Sequence, residues 1–174
     1  MDPGLHHLQG KAKRVNATQL LDFLTEFYRD KLTMRQRHIA AARQVSDYNF
    51  NNTYQYVIAR EDLQLNWLRD AVSDMGGSPP EIAEPTLAAT GKGAQAAILG
   101  EDRASAQTFL EKWQSRIDNL SHARHRAMLK VILGETAEHR RFFEQAAAGR
   151  DDLLGRRADG AGTGGGVMPT RWVE

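Results

Sequence analysis

Four stretches of the sequence carry apolar residues at the spacing of an amphipathic α-helix, and they are grouped as two pairs. A long segment rich in Gly, Pro and Ala, residues 76–100, separates the pairs. No stretch alternates polar and apolar residues as a half-buried strand does. Short loops place consecutive helices antiparallel, and one long connection can run the length of a bundle. The order therefore predicts an all-α, up-down four-helix bundle with a long crossover between helices two and three.

Capping residues and helix breakers predict the boundaries of these elements. The predicted helices begin near Asn16, Asn52, Glu101 and His122, and they end near the sequence SDYNFNN, Met75, Leu120 and Ala148. The predicted organisation is an N-terminal extension over residues 1–15, the bundle over 16–148, and a flexible, Gly-rich C-terminal tail over 149–174.

Composition narrows the classes of function. A chain of 174 residues is long enough for one well-buried domain. Its net charge of +1 favours neither nucleic acid nor an anionic membrane surface, and no apolar run approaches the roughly 20 residues of a membrane span. The absence of cysteine excludes disulfides, thiolate metal ligands and cysteine catalysis. The N-terminal sequence has no apolar core of a signal peptide, so we expect a cytoplasmic protein.

Several polar residues fall on the apolar faces of the second and fourth helices. Projection at 100° per residue places Glu61 at the centre of the buried face of the second helix and Gln64 at its edge. On the fourth helix His139 faces inward, with Glu135 four residues before it and Thr136 beside it. Because carboxylates and imidazoles are costly to bury without a partner, these residues are candidates for a functional site.

The first and third helices carry fewer inward polar residues. On the third helix Asp102 projects to the buried side, near the predicted helix start, where a carboxylate also suits the helix dipole. On the first helix the inward polar residues are predicted to be Tyr28 and Arg35, whereas Glu26 is predicted to lie at the surface. The first helix therefore offers no inward carboxylate.

Two segments resemble the ferritin-like superfamily, including the bacterioferritin and rubrerythrin types. They are REDLQLNWLRDAVSDMGGSPP in the second helix and MLKVILGETAEHRRFFEQ in the fourth, and the resemblance covers about residues 17–148. It implies a centre of two metal ions, held by one Glu from each of two helices and a Glu-x-x-His pair from each of the other two. Oxygen and nitrogen ligands of this kind suit iron or manganese and chemistry with oxygen or peroxide.

The ligand motif of the family is matched only in part. Glu61 matches the second-helix Glu, but Gln64 stands where its His is expected; His139 matches the fourth-helix His, but Thr136 stands where its Glu is expected. Asp102 precedes Glu135 by the same number of residues as Tyr28 precedes Glu61, which indicates an internal duplication. The resemblance implies as metal ligands Glu61, His139, Glu135 and Asp102, with Gln64, Tyr28 and Thr136 as auxiliary ligands.

Two functions remain open from the sequence. One is a divergent ferritin-like protein that binds iron or manganese in a degenerate site. The other is a metal-free bundle that acts as a structural or protein-interaction module, in which Arg35 neutralises Glu61 and the C-terminal VMPTRWVE is a docking peptide. Trp67 and Leu63 are candidates for the face of a homodimer or a larger homo-oligomer. The sequence does not decide whether the protein is an enzyme.

Overall fold

The structure, a computed structural model, describes residues 3–91 and 93–154, with side chains from Ala17 onward. It contains four α-helices: α1 Pro3–Gln44, α2 Tyr48–Asp74, α3 Ala94–Asp118 and α4 Ala123–Ala147. No strand occurs within these ranges, so the prediction of an all-α chain with four helices is confirmed there.

The predicted docking peptide VMPTRWVE lies outside the described residues. No helix in the described part of the chain has the length and hydropathy needed to cross a membrane.

Three predicted helix starts are wrong. The helix α1 begins at Pro3 rather than near Asn16. No proline interrupts the chain between Pro3 and Asn16, and a polar residue such as Asn16 is tolerated inside a helix. The helix α2 begins before Asn52, because the Asp47 carboxylate caps it by accepting the amides of Asn49, at 3.0 Å, and Phe50, at 3.1 Å. The third difference changes the interpretation of Asp102: α3 begins at Ala94 rather than Glu101.

Pairs of side chains show which helices are antiparallel neighbours. Between α3 and α4, Lys130 pairs with Asp118 at 2.8 Å and Arg140 donates to Gln107 at 2.6 Å, so the two helices are antiparallel. Between α1 and α3, Arg116 pairs with Glu26 near one end and Arg37 with Glu101 near the other. The helices α1 and α2 also pack along each other and are joined by only three residues.

The hydrophobic core consists of two clusters. The lower cluster, towards the α3–α4 turn, is centred on Phe27, Leu68, Trp113 and Ile132. The upper cluster, towards the α1–α2 turn, is centred on Tyr54, Ile98, Phe143 and Ala41. Each large apolar side chain that folding buries contributes about 1.5–3 kcal/mol. Hydrophobic burial therefore stabilises both ends of the bundle and leaves the middle for other side chains.

The connection between α2 and α3 is described at residues 75–91 and 93, and these residues contain no helix or strand. The connection starts in close contact with the lower cluster, because a Cβ at Gly77 would lie 2.6 Å from Leu21 Cδ1. It then follows α1: Gln36 donates to the Ile82 carbonyl at 2.6 Å, and Arg43 pairs with Glu84 at 2.7 Å. Leu87 is buried in the upper cluster just before α3 begins.

Candidate functional site

A layer of buried polar side chains lies between the two hydrophobic clusters. Each of its members is at most 1% exposed, and together they come from all four helices. This polar layer consists of Lys31, His38, Glu61, Gln64, Asp102, Thr136 and His139. Because a buried polar group needs a partner, the contacts of each member decide what the layer can do.

Glu61 is the centre of the polar layer, and both of its carboxylate oxygens have partners. Lys31 Nζ donates to one oxygen at 3.0 Å, and His38 Nδ1 lies 2.8 Å from the other. Burial raises the pKa of Glu61, but the charges of His38 and Lys31 outweigh burial and lower it to about 2. Glu61 is therefore ionised at neutral pH inside the bundle.

Lys31 links three helices through its ammonium group. Besides the Glu61 carboxylate on α2, Nζ donates to Thr136 Oγ1 on α4 at 3.2 Å. The Thr136 hydroxyl in turn donates to the Ile132 carbonyl at 2.8 Å, so its oxygen is oriented to accept from Lys31. The cation at the centre of the bundle is thus supplied by the chain itself.

His38 extends the charge of the layer towards α3. Burial lowers the pKa of its imidazole, but the Glu61 charge and hydrogen bond outweigh burial and raise the pKa above its usual value. Its ring packs against Phe143 of the upper cluster, with centroids 5.2 Å apart. His38 therefore adds a second polar contact to Glu61 through Nδ1, whereas its Nε2 is buried and has no hydrogen-bond partner among the described residues.

Asp102 forms a separate pair of contacts at the α1–α3 side of the layer. Arg37 Nε donates to one carboxylate oxygen at 2.5 Å, and the Tyr54 hydroxyl donates to the other. Burial, followed by the Asp102 charge, raises the pKa of Tyr54 far above its usual value, so the hydroxyl stays protonated. Because α3 begins at Ala94, Asp102 lies beyond the first two turns, and the helix dipole does not explain its position as the sequence predicted.

Glu135 lies at the rim of the layer rather than in its centre. Its carboxylate accepts hydrogen bonds from Arg60 and Gln64 on α2, and its side chain is 20% exposed. Gln64, predicted at the edge of the buried face, is fully buried by this contact. Glu138 forms an exposed pair with Arg141 at 3.5 Å, as expected for a residue predicted to face solvent.

His139 is the one predicted ligand in the layer with an unpartnered ring nitrogen. Its Nδ1 is buried and has no hydrogen-bond partner among the described residues. Burial, followed by the Lys31 charge, lowers its pKa to about 3, so the imidazole is neutral. Its ring lies among Tyr56 and Phe142, with centroids 6.4 Å from each. His139 is therefore buried in the charge state that can bind a metal.

The predicted ligands do not fit a metal centre as their contacts stand. The oxygens of Glu61, Asp102 and Glu135 accept hydrogen bonds from cationic side chains of the protein, and an ammonium lies against Glu61. Among residues 17–91 and 93–154, whose side chains the structure describes, no group of three or more His, Asp or Glu side chains is arranged to hold a metal ion. Tyr28, an auxiliary candidate, packs in the lower cluster.

Two prominent members of the layer, Lys31 and His38, are absent from the sequence prediction. Arg35, predicted to face inward and neutralise Glu61, instead pairs with Asp62 near the surface at 2.8 Å. The inward face of α1 follows Leu24, Phe27, Met34 and Ala41, and a spacing of three and four residues from these includes Lys31 and His38. That spacing is the signal in the sequence that identifies both residues.

The low pKa of His139 predicts a loss of stability in mild acid. The unfolded imidazole titrates near 6.5 and the folded one near 3, so the stability is present above pH 6.5 and is lost as the pH falls towards 3. Glu61, lowered from 4.5 to about 2, contributes only below pH 4.5. Between pH 6.5 and 4.5 we expect His139 to lower the free energy of unfolding by up to about 1 kcal/mol per pH unit.

Urea unfolding of the full chain at several pH values measures this slope. His139→Phe should flatten it between pH 6.5 and 4.5. Glu138→Gln, an exposed substitution beside His139 on α4, is the control, and its slope between pH 6.5 and 4.5 should match that of the parent chain. An equal slope in the parent chain and in His139→Phe would contradict a buried, neutral His139.

Comparison of the chain with protein-family models, curated proteins and solved structures finds no match. The resemblance to the ferritin-like superfamily therefore stays a prediction that rests on the residues of α2 and α4.

Proposed function

We propose that this chain is a metal-free bundle of ferritin-like topology that acts as a structural or protein-interaction module. In this proposal the Lys31 ammonium supplies the central positive charge that metal ions supply in the family it resembles. The observation that carries the proposal is the 3.0 Å contact between Lys31 Nζ and Glu61, with both side chains fully buried. The same carboxylate is the one that best matches a metal ligand of the family.

The path of the chain supports the ferritin-like part of the proposal. Residues 75–93 begin beside Gly77 at the lower cluster and reach Leu87 in the upper cluster, as a long crossover does. The polar layer lies between the two clusters, at the level where side chains from four facing helices build the metal site of such bundles.

Electrostatics favour the ammonium over a metal ion at this place. A divalent cation beside Glu61 would lie within a few ångströms of the Lys31 charge, and both would compete for one carboxylate. Moving Lys31 away would leave a buried ammonium without its partner, which costs several kcal/mol. The cationic partners of Asp102 and Glu135, Arg37 and Arg60, add to the repulsion.

Burial of the polar layer favours a structural role over catalysis. Its members are at most 1% exposed, so a substrate in solution has no direct contact with them. The buried carboxylates of Glu61 and Asp102 both accept from cationic side chains of α1, and these ion pairs hold the helices in one register, because a shifted register would leave the charges unpaired. The layer is thus suited to specifying how the four helices align.

Iron or manganese binding in a degenerate site is the second candidate function. It is favoured by His139, whose buried Nδ1 has no partner among the described residues and whose low pKa keeps the ring neutral. Glu61 lies near enough to influence that pKa. This function requires Lys31 to leave the Glu61 carboxylate.

Metal analysis of the full chain separates the two candidates. After expression in medium rich in iron and manganese, we expect far less than one metal ion per chain, with no difference between the parent chain and His139→Ala. Glu138→Gln, on the same helix but outside the layer, is the control for effects on expression. Stoichiometric iron or manganese that is lost in Glu61→Gln and His139→Ala but kept in Glu138→Gln would overturn the proposal.

A further inference from the structure

The seam between α2 and α4 carries two exposed large apolar side chains, and among the side chains described from Ala17 onward the other one is Tyr48. Val131 on α4 is 50% exposed and Leu63 on α2 is 38% exposed. A cavity of about 540 Å³ opens between the two helices, and Val131 lines it together with Trp67, Met75 and Met128. We call this surface, from Leu63 and Val131 to the cavity, the α2–α4 groove. An exposed apolar groove of this kind marks a place where another segment binds.

We propose that the α2–α4 groove binds the C-terminal segment VMPTRWVE, residues 167–174 of the same chain. The inference deepens the proposed function, since it names the surface and the segment through which the interaction module works. It rests on the reach of the chain beyond Leu154 and on the match between the segment and the groove.

The length of the chain beyond Leu154 is sufficient. Leu153 is buried in the upper cluster and Leu154 packs against it, so the chain leaves the bundle near the end of α4. Val131 lies 16 residues before Ala147 on α4, about 24 Å away at 1.5 Å per helical residue. The 18 residues from Leu154 to Trp172 reach up to about 60 Å when extended. The segment thus reaches the whole groove, including the cavity at its lower end.

The chemistry of the segment is complementary to that of the groove. The segment contains apolar residues on both sides of a single cation, Arg171, and one acidic residue, Glu174. The groove offers the exposed carboxylates of Asp70 and Asp74 together with the guanidinium of Arg124. In this proposal Trp172 occupies the apolar part of the cavity, Arg171 pairs with the aspartates, and the Glu174 side chain pairs with Arg124. Opposite charges at the rim and an aromatic side chain at the centre are the usual pattern of a bound peptide.

A disulfide trap in the full chain tests the proposal, and the absence of cysteine from the sequence makes the trap selective. One variant carries Val131→Cys in the groove and Val173→Cys beside Trp172. The control carries Ser115→Cys with the same Val173→Cys. Ser115 is exposed on α3 and lies near the level of Val131, because Lys130 of α4 pairs with Asp118 of α3. Both traps use the same tether, and the effect of adding Trp172→Ala isolates the part of the rate difference that comes from binding.

We expect the groove variant to form its intramolecular disulfide about tenfold or more faster than the control under mild oxidation. Adding Trp172→Ala should remove that difference. Equal rates in the two variants would overturn the proposal, and so would a groove disulfide formed only between two chains, since that outcome assigns the groove to a second copy. Equal melting temperatures of the parent and both variants before oxidation show that the bundle is intact. The metal content of the protein does not affect the trap, so this proposal and the proposed function fail separately.

Discussion

Replacing Lys31 by Met is expected to lower the free energy of unfolding by about 3–5 kcal/mol, the usual cost of removing one partner of a buried ion pair. Methionine has a similar length and fills the same space, so the loss reports the charge rather than a cavity. Without the ammonium, Glu61 keeps His38 as its partner, but one carboxylate oxygen and the Thr136 hydroxyl oxygen lose their donor. Chemical denaturation of the full chain at pH 7 measures the change.

Two further variants make the result for Lys31 specific. Lys112→Met removes a lysine that pairs with Glu26 and Asp30 at the surface, where its side chain is 39% exposed, and should cost less than about 1 kcal/mol. Adding Glu61→Gln to Lys31→Met removes the uncompensated charge and should restore part of the lost stability. A loss of less than 1 kcal/mol in Lys31→Met would contradict a central role of the ammonium.

Replacing Asp102 by Ala is expected to cost about 3 kcal/mol. The change removes a fully buried carboxylate and leaves the Tyr54 hydroxyl and Arg37 Nε without their acceptor, while the Arg37 guanidinium keeps Glu101. Loss of the acceptor costs more free energy at Tyr54 than at Arg37, because Tyr54 is 1% exposed and water does not replace Asp102 there. Thermal and chemical unfolding of Asp102→Ala against the parent chain give the magnitude.

Tyr54→Phe separates the two contacts of Asp102. It removes only the hydroxyl, while Arg37 still donates to the carboxylate, so we expect a loss of about 1 kcal/mol. Arg37 is partly exposed, and its guanidinium is hydrated more readily than the tyrosine. A larger loss in Tyr54→Phe than in Asp102→Ala would show that the carboxylate is not the group that stabilises this side of the layer.

The inward residues of α2 and α4 were predictable from the sequence because their apolar neighbours define the buried faces clearly. Glu61 stands among Val57, Leu65 and Leu68, and all four are buried. The same holds for His139, four residues before Phe143. On such helices a polar residue inside the apolar pattern is placed correctly by helical geometry alone.

The face of α1 was not predictable in the same way. Its apolar residues are spread widely around the helix, and the face predicted to carry Tyr28 and Arg35 inward is rotated from the buried one, which follows Leu24, Phe27 and Met34. Lys31 and His38 lie at the flank of the predicted face and were not included in it. Their burial depends on Glu61 of another helix, and a sequence pattern along one helix contains no information about such a partner.

The wrong predicted start of α3 led to a wrong explanation for the position of Asp102. The segment Ala94–Gly100 contains Ala, Ile and Leu but also borders a Gly-rich segment. Helix propensity alone therefore assigned it to the connection between the second and third helices. Packing of Ala94, Ile98 and Leu99 into the upper cluster stabilises these turns as helix. Asp102 then lies well inside α3, where Arg37 and Tyr54 explain its burial.

The central claim is that the Lys31 ammonium occupies the place of a metal ion at Glu61, and a crystal structure with anomalous scattering tests it most directly. The crystals should come from full-chain protein expressed with excess iron and manganese, and data should be collected at the absorption edge of each metal. The account predicts Lys31 Nζ within hydrogen-bond distance of Glu61 and no anomalous peak in the polar layer. An anomalous peak between Glu61 and His139, with Lys31 turned away from the carboxylate, would contradict it.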